Sequence, residues 1–271
     1  MDLNTVEAVH IPTHRDEVWP LGPADAILAG GTWLFSEPQP AVARLVDITN
    51  LGWPPITTTA DGIELAATCT LDEVATLSRS LPRVWSAAPL FRQCCTALLA
   101  SFKIWRTATV GGNICLSFPA GAMISLCTAL DATATVWRGD GSGYTMPVAE
   151  FVTGEATNVL EPGEVLRSLH FPAAALRART AFRKIAPSPL GRSGAVVIGR
   201  RDEDGRFVLS VTAATVRPHV FRFPTTASPS AVRAALSAIP EQDLTRDAHG
   251  DPDWRRAVTL TLAEQIRAEL A

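Results

Sequence analysis

The residues best suited to do chemistry in this sequence are two glycine pairs. Gly30-Gly31 is followed by Thr32, and Gly111-Gly112 is followed by Asn113. Paired glycines let a ligand approach the main chain closely and let successive N–H groups point at one anion, such as a pyrophosphate. The first pair follows the apolar run Ala26-Ile27-Leu28, where a loop would leave a buried strand, and the second lies in a glycine-containing loop over Thr107–Asn113. Taken singly, each pair reads more readily as a turn than as a ligand site, because glycine marks turns far more often. Neither fits G-x-G-x-x-G or the Walker form, which excludes a Rossmann fingerprint and a P-loop.

Other reactive side chains are sparse. The five cysteines (Cys69, Cys94, Cys95, Cys115 and Cys127) are odd in number and form no C-x-x-C. That speaks against disulfides, zinc or an iron–sulfur cluster in this chain. Cys94 and Cys95 fall on the apolar stripe of a helix, where buried thiols are commoner than redox centres. Cys115, beside the second loop, reads as a small apolar filler. His10, His14, His170, His219 and His249 are scattered, with no metal-ligand spacing and none inside a glycine loop. Trp33 and Trp105 could stack on a planar ligand, anchor an interface or pack in the core. No acid–base pair stands out, so no catalytic side chain and no metal ligand is assigned.

The elements that must position these loops follow from length and periodicity. With 271 residues, 47% of them hydrophobic and 19% charged, the chain can bury a core without disulfides or a structural metal. A net charge of −3 excludes an extended nucleic-acid or basic membrane face. No stretch approaches the ~20 apolar residues of a membrane span, and the N-terminus has no continuous apolar region. A cytoplasmic protein is expected.

Ala26–Leu28 and Arg44–Ile48 read as buried strands, and Gly62–Ala67 alternates as a strand should. Thr70-Leu71-Asp72-Glu73 has the form of a capping box that opens a short helix. Pro89–Phe102 is expected as one helix, with Cys94/Cys95, Leu98/Leu99 and Phe102 on its apolar face. Gly121–Leu130 reads as a buried helix, Thr133–Arg138 with Tyr144–Val148 as a hairpin, and Val165–Phe171 as a strand. Beyond Pro172 come strands at Phe182–Ile185, Gly194–Arg200 and Arg206–Thr215, with Asp204-Gly205 as the hairpin turn. Ser228-Pro229 and Asp251-Pro252 then start two helices, the last carrying Trp254, Val258, Leu262, Ile266 and Leu270. The pattern predicts an α+β fold. Residues 1–174 form a body with subdomains at about 1–55 and 56–174, and residues 175–271 form a C-terminal domain with a three-stranded antiparallel sheet and helices.

In context the glycine pairs become more specific. Ile27-Leu28-Ala29-Gly30-Gly31-Thr32-x-Leu34 and Ala108-Thr109-Val110-Gly111-Gly112-Asn113-Ile114 are followed in order by Ser117–Gly121, Ala129–Ala132, Val148–Gly154, Pro162–Leu166 and Phe182–Ala186. This series resembles the FAD-binding medium subunit of the molybdenum hydroxylases, the family of xanthine dehydrogenase and aerobic carbon monoxide dehydrogenase. The resemblance implies a PCMH/vanillyl-alcohol-oxidase-like body and a tail domain like the C-terminal domain of the carbon monoxide dehydrogenase flavoprotein.

It also implies which residues hold FAD. Ile27, Leu28, Ala29, Gly30, Gly31, Thr32, Trp33 and Leu34 would form one side, with backbone N–H groups and the Thr32 hydroxyl on the pyrophosphate. Ala108, Thr109, Gly111, Gly112, Asn113, Leu116 and Ala122 would form the other. Val165 and Leu166 would lie beside the adenine or the ring, and Lys184 would approach the flavin. Departures from the family pattern fall at Trp33, Trp105-Arg106, Ala122 and Pro187–Leu190. With no histidine in either loop, the flavin is expected to be non-covalent. The resemblance further implies an oxidoreductase subunit that takes electrons from 2Fe-2S clusters on a small subunit, fed by a molybdopterin cofactor on a large subunit, in a dimer of heterotrimers. The alternatives are an FAD-free structural subunit and a self-contained flavin oxidoreductase of related fold.

Overall fold

A computed structural model describes residues 3–271. The N-terminal part builds a parallel sheet from β1 (Ala8–His10), β2 (Asp25–Leu28) and β3 (Arg44–Asp47), in the order β1-β3-β2. The central β3 buries Leu45 and Val46. The edge strand β2 is half-buried along its whole length, less than its apolar run predicts. An edge position leaves the chain free to pass from β2 straight into Ala29–Leu34.

The second sheet is antiparallel. It contains β4 (Ile56–Thr59), β5 (Gly62–Ala66), β6 (Thr133–Trp137) and β7 (Gly143–Pro147). The ribbon of β8 (Val152–Gly154) and β9 (Thr157–Asn158) then leads to β10 (Val165–Pro172), and the sheet order is β4-β5-β10-β6-β7. Five helices separate β5 from β6: α1 (Leu71–Leu77), α2 (Pro89–Ala97), α3 (Phe102–Trp105), α4 (Val110–Leu116) and α5 (Ala122–Ala129). Short helices α6 (Val148–Phe151) and α7 (Ala173–Arg177) follow β7 and β10. The capping box is formed as expected: the Thr70 hydroxyl accepts from the Glu73 N–H at 3.3 Å, and the Glu73 carboxylate accepts from the Thr70 N–H at 2.8 Å.

Two expectations change here. The helix read over Pro89–Phe102 stops at Ala97, where Leu98 turns extended with ψ 124°. The Ala97 carbonyl is held by the Ser193 hydroxyl at 3.2 Å, and Ser101 caps the separate helix α3. Leu99 and Phe102, expected on the apolar face, are instead 63% and 64% exposed. The loop read over Thr107–Asn113 is in large part helical, since Thr109 is the N-cap of α4 and both glycines lie in its first turn.

The C-terminal sheet runs β11 (Arg179–Ile185), β12 (Ala195–Arg201), β13 (Phe207–Thr212) and β14 (His219–Phe223), each antiparallel to the next. It therefore has four strands where three were expected. The extra strand follows Pro218 and has no buried residue, so its five residues give little periodic signal. It is fixed by pairing: Phe223 lies opposite Phe207, with ring centroids 6.0 Å apart. Helices α8 (Pro229–Ser237) and α9 (Pro252–Leu270) begin at the expected caps, Ser228 and Asp251. Leu262, Ile266 and Leu270 of α9 are buried in the core beneath this sheet.

Helix α5 joins the two parts. All eight of its residues are buried, with α2 packed against it on one side and β12 and β13 on the other. Its two hydroxyls would be costly there without partners. Ser125 pairs with Thr212 at 2.6 Å and Thr128 with Ser210 at 2.9 Å. Just beyond α5, buried Arg200 donates to the Ala129 carbonyl at 2.9 Å, to Asp131 at 2.5 Å and to Asp202 at 2.7 Å. Arg222 also binds Asp131, at 2.6 Å. Burial would raise the Asp131 carboxyl, but the Arg222 and Arg200 donors outweigh it and hold it below the usual range. Among the described residues no helix is long and apolar enough to cross a membrane.

Removing Arg200 leaves Asp131 with Arg222 alone, takes from Asp202 its nearest cation and frees the Ala129 carbonyl at a buried junction. Arg200→Ala should therefore cost about 3 kcal/mol of unfolding free energy, read from urea denaturation at pH 7. Asp131 binds its proton less tightly in the folded state than in the unfolded one. Its contribution is present at neutral pH and fades as pH falls through the depressed value. The stability of the Arg200→Ala variant should therefore fall less steeply on acidification than that of the parent chain.

Candidate functional site

The first glycine segment leaves the parallel sheet, the second opens helix α4, and the two meet at a cavity of about 830 Å³, within the range of small-molecule sites. Ala29–Leu34, leaving β2, is the first wall. Gly31 has φ +67°, and the Phe35 N–H closes the turn onto the Gly31 carbonyl at 2.9 Å. The N–H groups of Gly30, Gly31, Thr32, Trp33 and Leu34 donate to no acceptor among the described residues. A left-handed residue followed by a helical turn, with free successive N–H groups, makes a concave anion-binding surface.

The second wall is different in kind. The N–H groups at the start of α4 are already used: Val110 donates to Cys69, Gly111 to the Ala67 carbonyl at 2.8 Å, and Gly112 to the Thr109 hydroxyl at 3.1 Å. The Asn113 side-chain oxygen accepts from the Met123 N–H at 2.8 Å, tying α4 to the start of α5. This wall contributes shape rather than charge.

The four glycines are needed for different reasons. A Cβ on Gly30 would stand 1.9 Å from the Thr107 carbonyl oxygen, and one on Gly111 would stand 2.5 Å from the Ala67 Cβ. At Gly31 the positive φ and the Phe35 ring both exclude a side chain. At Gly112 a Cβ would meet just the capping Thr109 hydroxyl, at 3.1 Å. Gly112 is thus the glycine whose missing side chain leaves cavity space instead of room for neighbouring protein.

Inside, Trp33 stands edge-on to Phe118 with centroids 4.7 Å apart, and Ile27, Ile48, Val165 and Leu166 add apolar surface. Leu98, Leu99, Ala100 and Ile104 line the cavity because α2 ends early. Glu155, Glu164 and Arg192 are its charged residues. Burial would raise Glu164, but the Glu161 N–H at 3.0 Å, Arg138 at 2.8 Å and the Tyr144 hydroxyl at 2.8 Å lower it and keep it ionised. With these donors engaged, Glu164 is an acceptor rather than a base. Burial pushes the Cys115 thiol up to about 12, so it is protonated at neutral pH. The arrangement suits an elongated molecule with apolar ends and an anionic middle.

Most of the residues singled out in the sequence line this cavity: Ile27, Ala29, Gly30, Gly31, Thr32, Trp33, Leu34, Ala108, Thr109, Gly111, Gly112, Asn113, Leu116, Val165 and Leu166. Leu28, Ala122 and Lys184 are not part of the lining. The Leu28 side chain is tucked beneath Gly31, and Ala122 is buried in the main core. Lys184 sits on β11 opposite Val196. It shares the body-facing side of the strand with Phe182 but does not reach the cavity wall. Gln39, Leu160 and Arg192 line the cavity without having been singled out, and Phe118 and Glu164 line it after figuring only in the family series, with no role assigned. Glu164 adjoins the assigned Val165, so that neighbourhood held a signal; Arg192 lies on no periodic pattern.

Comparison with known proteins places these features in a family. Residues 6–174 match the model of the FAD binding domain in molybdopterin dehydrogenase. No curated protein matches the chain in sequence. Among solved structures it is similar to quinoline 2-oxidoreductase from Pseudomonas putida 86, at 20% identity and a TM-score of 0.81, covering 100% of this chain and 98% of that one. It is similar to carbon monoxide dehydrogenase from Hydrogenophaga pseudoflava at 21% identity and a TM-score of 0.79, with the same coverage. With carbon monoxide dehydrogenase from Oligotropha carboxidovorans the identity is 19% and the TM-score 0.81 over 100% of both chains. The α+β architecture, C-terminal sheet included, is the fold of these chains.

The glycine geometry separates binding from folding. Gly112→Val should cut bound FAD per folded chain at least tenfold, read from the ratio of flavin to protein absorbance, while leaving the yield of folded protein near normal. Gly30→Ala should lower folded yield and flavin together. Equal losses in both variants would make Gly112 a folding residue.

Proposed function

This chain belongs to the family of FAD-binding domains of molybdopterin dehydrogenases, and from that premise we propose that it is the FAD-holding electron-transfer subunit of a molybdenum hydroxylase complex. The observation that carries the reading is the pairing of unsatisfied N–H groups at residues 30–34 with the bare backbone of Gly112 in the opposite wall of the cavity. Five N–H groups suit the anionic oxygens of a pyrophosphate, and a diphosphate would supply the acceptors that the protein does not.

In this reading the residues bind, orient and shield. Gly30–Leu34 hold the pyrophosphate through the main chain, with the Thr32 hydroxyl beside them. Ala108, Thr109, Gly111, Gly112, Asn113 and Leu116 close the opposite side, where a larger side chain at 112 would occupy the ligand's space. Ile27, Val165 and Leu166 exclude water from an apolar part of the molecule, and the remaining lone pairs of Glu164 accept from a ribose hydroxyl or an exocyclic amine. Bound FAD would supply the electron chemistry, while the protein sets its position and electrostatic surroundings. No side chain in the cavity is needed as a general acid or base.

The proposed complex rests on the family reading, and the cysteines of this chain are consistent with it. They are buried or half-buried free thiols, and burial pushes Cys94 and Cys127 far up, which suits core packing rather than metal ligation. Electrons would reach the flavin from 2Fe-2S clusters on a small subunit, after substrate oxidation at a molybdopterin cofactor on a large one, and leave to an external acceptor. A dimer of such heterotrimers is the proposed assembly, active as a whole and not as this chain alone.

The purified chain should be yellow, and acid precipitation should release the chromophore into the supernatant. Flavin retained in the pellet would contradict non-covalent binding, and a colourless native protein would favour the structural-subunit alternative. Expressed without neighbours, the chain should accept electrons from dithionite. It should show no dye reduction with an aldehyde, a purine, another N-heterocycle or carbon monoxide; turnover free of molybdenum and iron would mark it as a self-contained flavin enzyme.

A further inference from the structure

Arg192 lies in the segment 186–194 between β11 and β12, and its side chain is half-buried at the cavity wall. It makes no hydrogen bond and no ion pair with any described residue, although acids are near. Glu164 is already engaged by Arg138, Tyr144 and the Glu161 N–H. Glu155 also lines the cavity, but it is exposed and unpaired with Arg192. A guanidinium left free in a largely apolar cavity is a charge waiting for a partner.

The segment that carries it is fixed rather than loose. The Gly194 N–H donates to the Ile185 carbonyl at 2.8 Å, closing the neck, and the Ser193 hydroxyl holds the Ala97 carbonyl. The Gly194 carbonyl accepts from Arg255 Nη1 at 2.6 Å. Arg255 is 1% exposed. Its other bonds go to the Ala213 carbonyl at 2.7 Å, the Gly250 carbonyl at 3.0 Å and the Asp247 carboxylate at 2.5 Å. A buried arginine is tolerable when its donors are engaged. Here those donors clamp the main chain two residues from Arg192.

We infer that Arg192, held by Arg255 through Gly194, faces the isoalloxazine ring of bound FAD and favours its reduced, anionic form. This rests on the FAD-binding reading above. The pyrophosphate already has the N–H groups of residues 30–34, so Arg192 is left for the ring. Two electrons from the donor and one proton from solvent, taken up at N5, leave the reduced ring with one negative charge over N1 and O2. Arg offers donors and no acceptor, which matches those two atoms. A charge beside N1 is one of the means by which a protein tunes a flavin, and it acts strongly where water is excluded. Arg192 is thus a cofactor-contacting residue and Arg255 a positioning residue.

The test uses the full chain loaded with FAD. Oxidised-FAD affinity is measured by fluorescence quenching, and the midpoint potential by dithionite titration against an indicator dye. Arg192→Ala should weaken reduced FAD about tenfold more than oxidised FAD, a fall of about 30 mV for a two-electron couple. Arg192→Lys should recover most of that shift. Arg255→Lys keeps a charge but has one nitrogen where Arg255 uses three, so it cannot hold the Gly194 and Ala213 carbonyls while also binding Gly250 and Asp247. It should move the potential in the same direction by less. An unchanged potential in Arg192→Ala would overturn the proposal. Equal weakening of both forms would also overturn it, placing the cation on the pyrophosphate. A parent chain that takes up no FAD would overturn the FAD reading as well.

Discussion

The space between Gly30 and the Thr107 carbonyl is too small for one methyl group, and the site depends on it. A Cβ at that position would sit 1.9 Å from the oxygen. This is where the loop leaving the parallel sheet touches the segment leading into α4. The contact sets the spacing between a wall that offers N–H groups and a wall that offers shape. Packing is close to crystalline in protein interiors, so a wider gap would move the whole loop rather than one side chain. Gly111 against Ala67 fixes the second wall to the residue that follows β5 in the same manner. The free N–H groups of residues 30–34 are therefore held in place by contacts within the protein itself.

The third contribution to the cavity comes from the C-terminal part of the chain. Helix α5, buried all round, is where that part docks, and its hydroxyl pairs with Thr212 and Ser210 give the junction a register that apolar packing alone would not specify. The Arg200 cluster locks one end of the same junction, and Arg255 clamps the end near the cavity. A fully buried guanidinium is expensive to desolvate. Arg255 offsets that cost by tying the Gly194, Ala213 and Gly250 carbonyls together, and Arg200 by joining the Ala129 carbonyl to the Asp131 and Asp202 carboxylates, which turns charge into geometry.

What could be read from the sequence was what is decided locally. The Thr70–Glu73 capping box, the Ser228-Pro229 and Asp251-Pro252 caps and the Asp204-Gly205 turn depend on a few adjacent residues, and each is found where expected. The glycine loops were legible as a family series, and fifteen of the assigned residues line one cavity. The failures have distant causes. Helix α2 ends where Ser193, 96 residues away, takes the Ala97 carbonyl. Strand β14 exists through its pairing with β13. Lys184 is a different case: it lies on β11 outside the cavity lining, while Arg192, whose segment is tied down by Arg255 from the last helix, is part of it. Thr109 did carry a local signal: a residue of cap type three before Gly112, with Val110 and Ile114 at helical spacing.

The burial of α5 limits how this protein can be divided or recombined. Its sequence belongs to the cofactor-holding body, but Val196, Ile198 and Ala213 of the C-terminal part share its core. Body and tail are therefore not interchangeable modules. Exchanging the tail with that of a relative would set foreign side chains against Ser125 and Thr128 and leave hydroxyls without their counterparts. Drift on the two sides of this seam must be correlated, residue with residue. A chain whose cofactor loops are constrained by three crowded glycines is thus constrained a second time, at an internal surface set by paired hydroxyls.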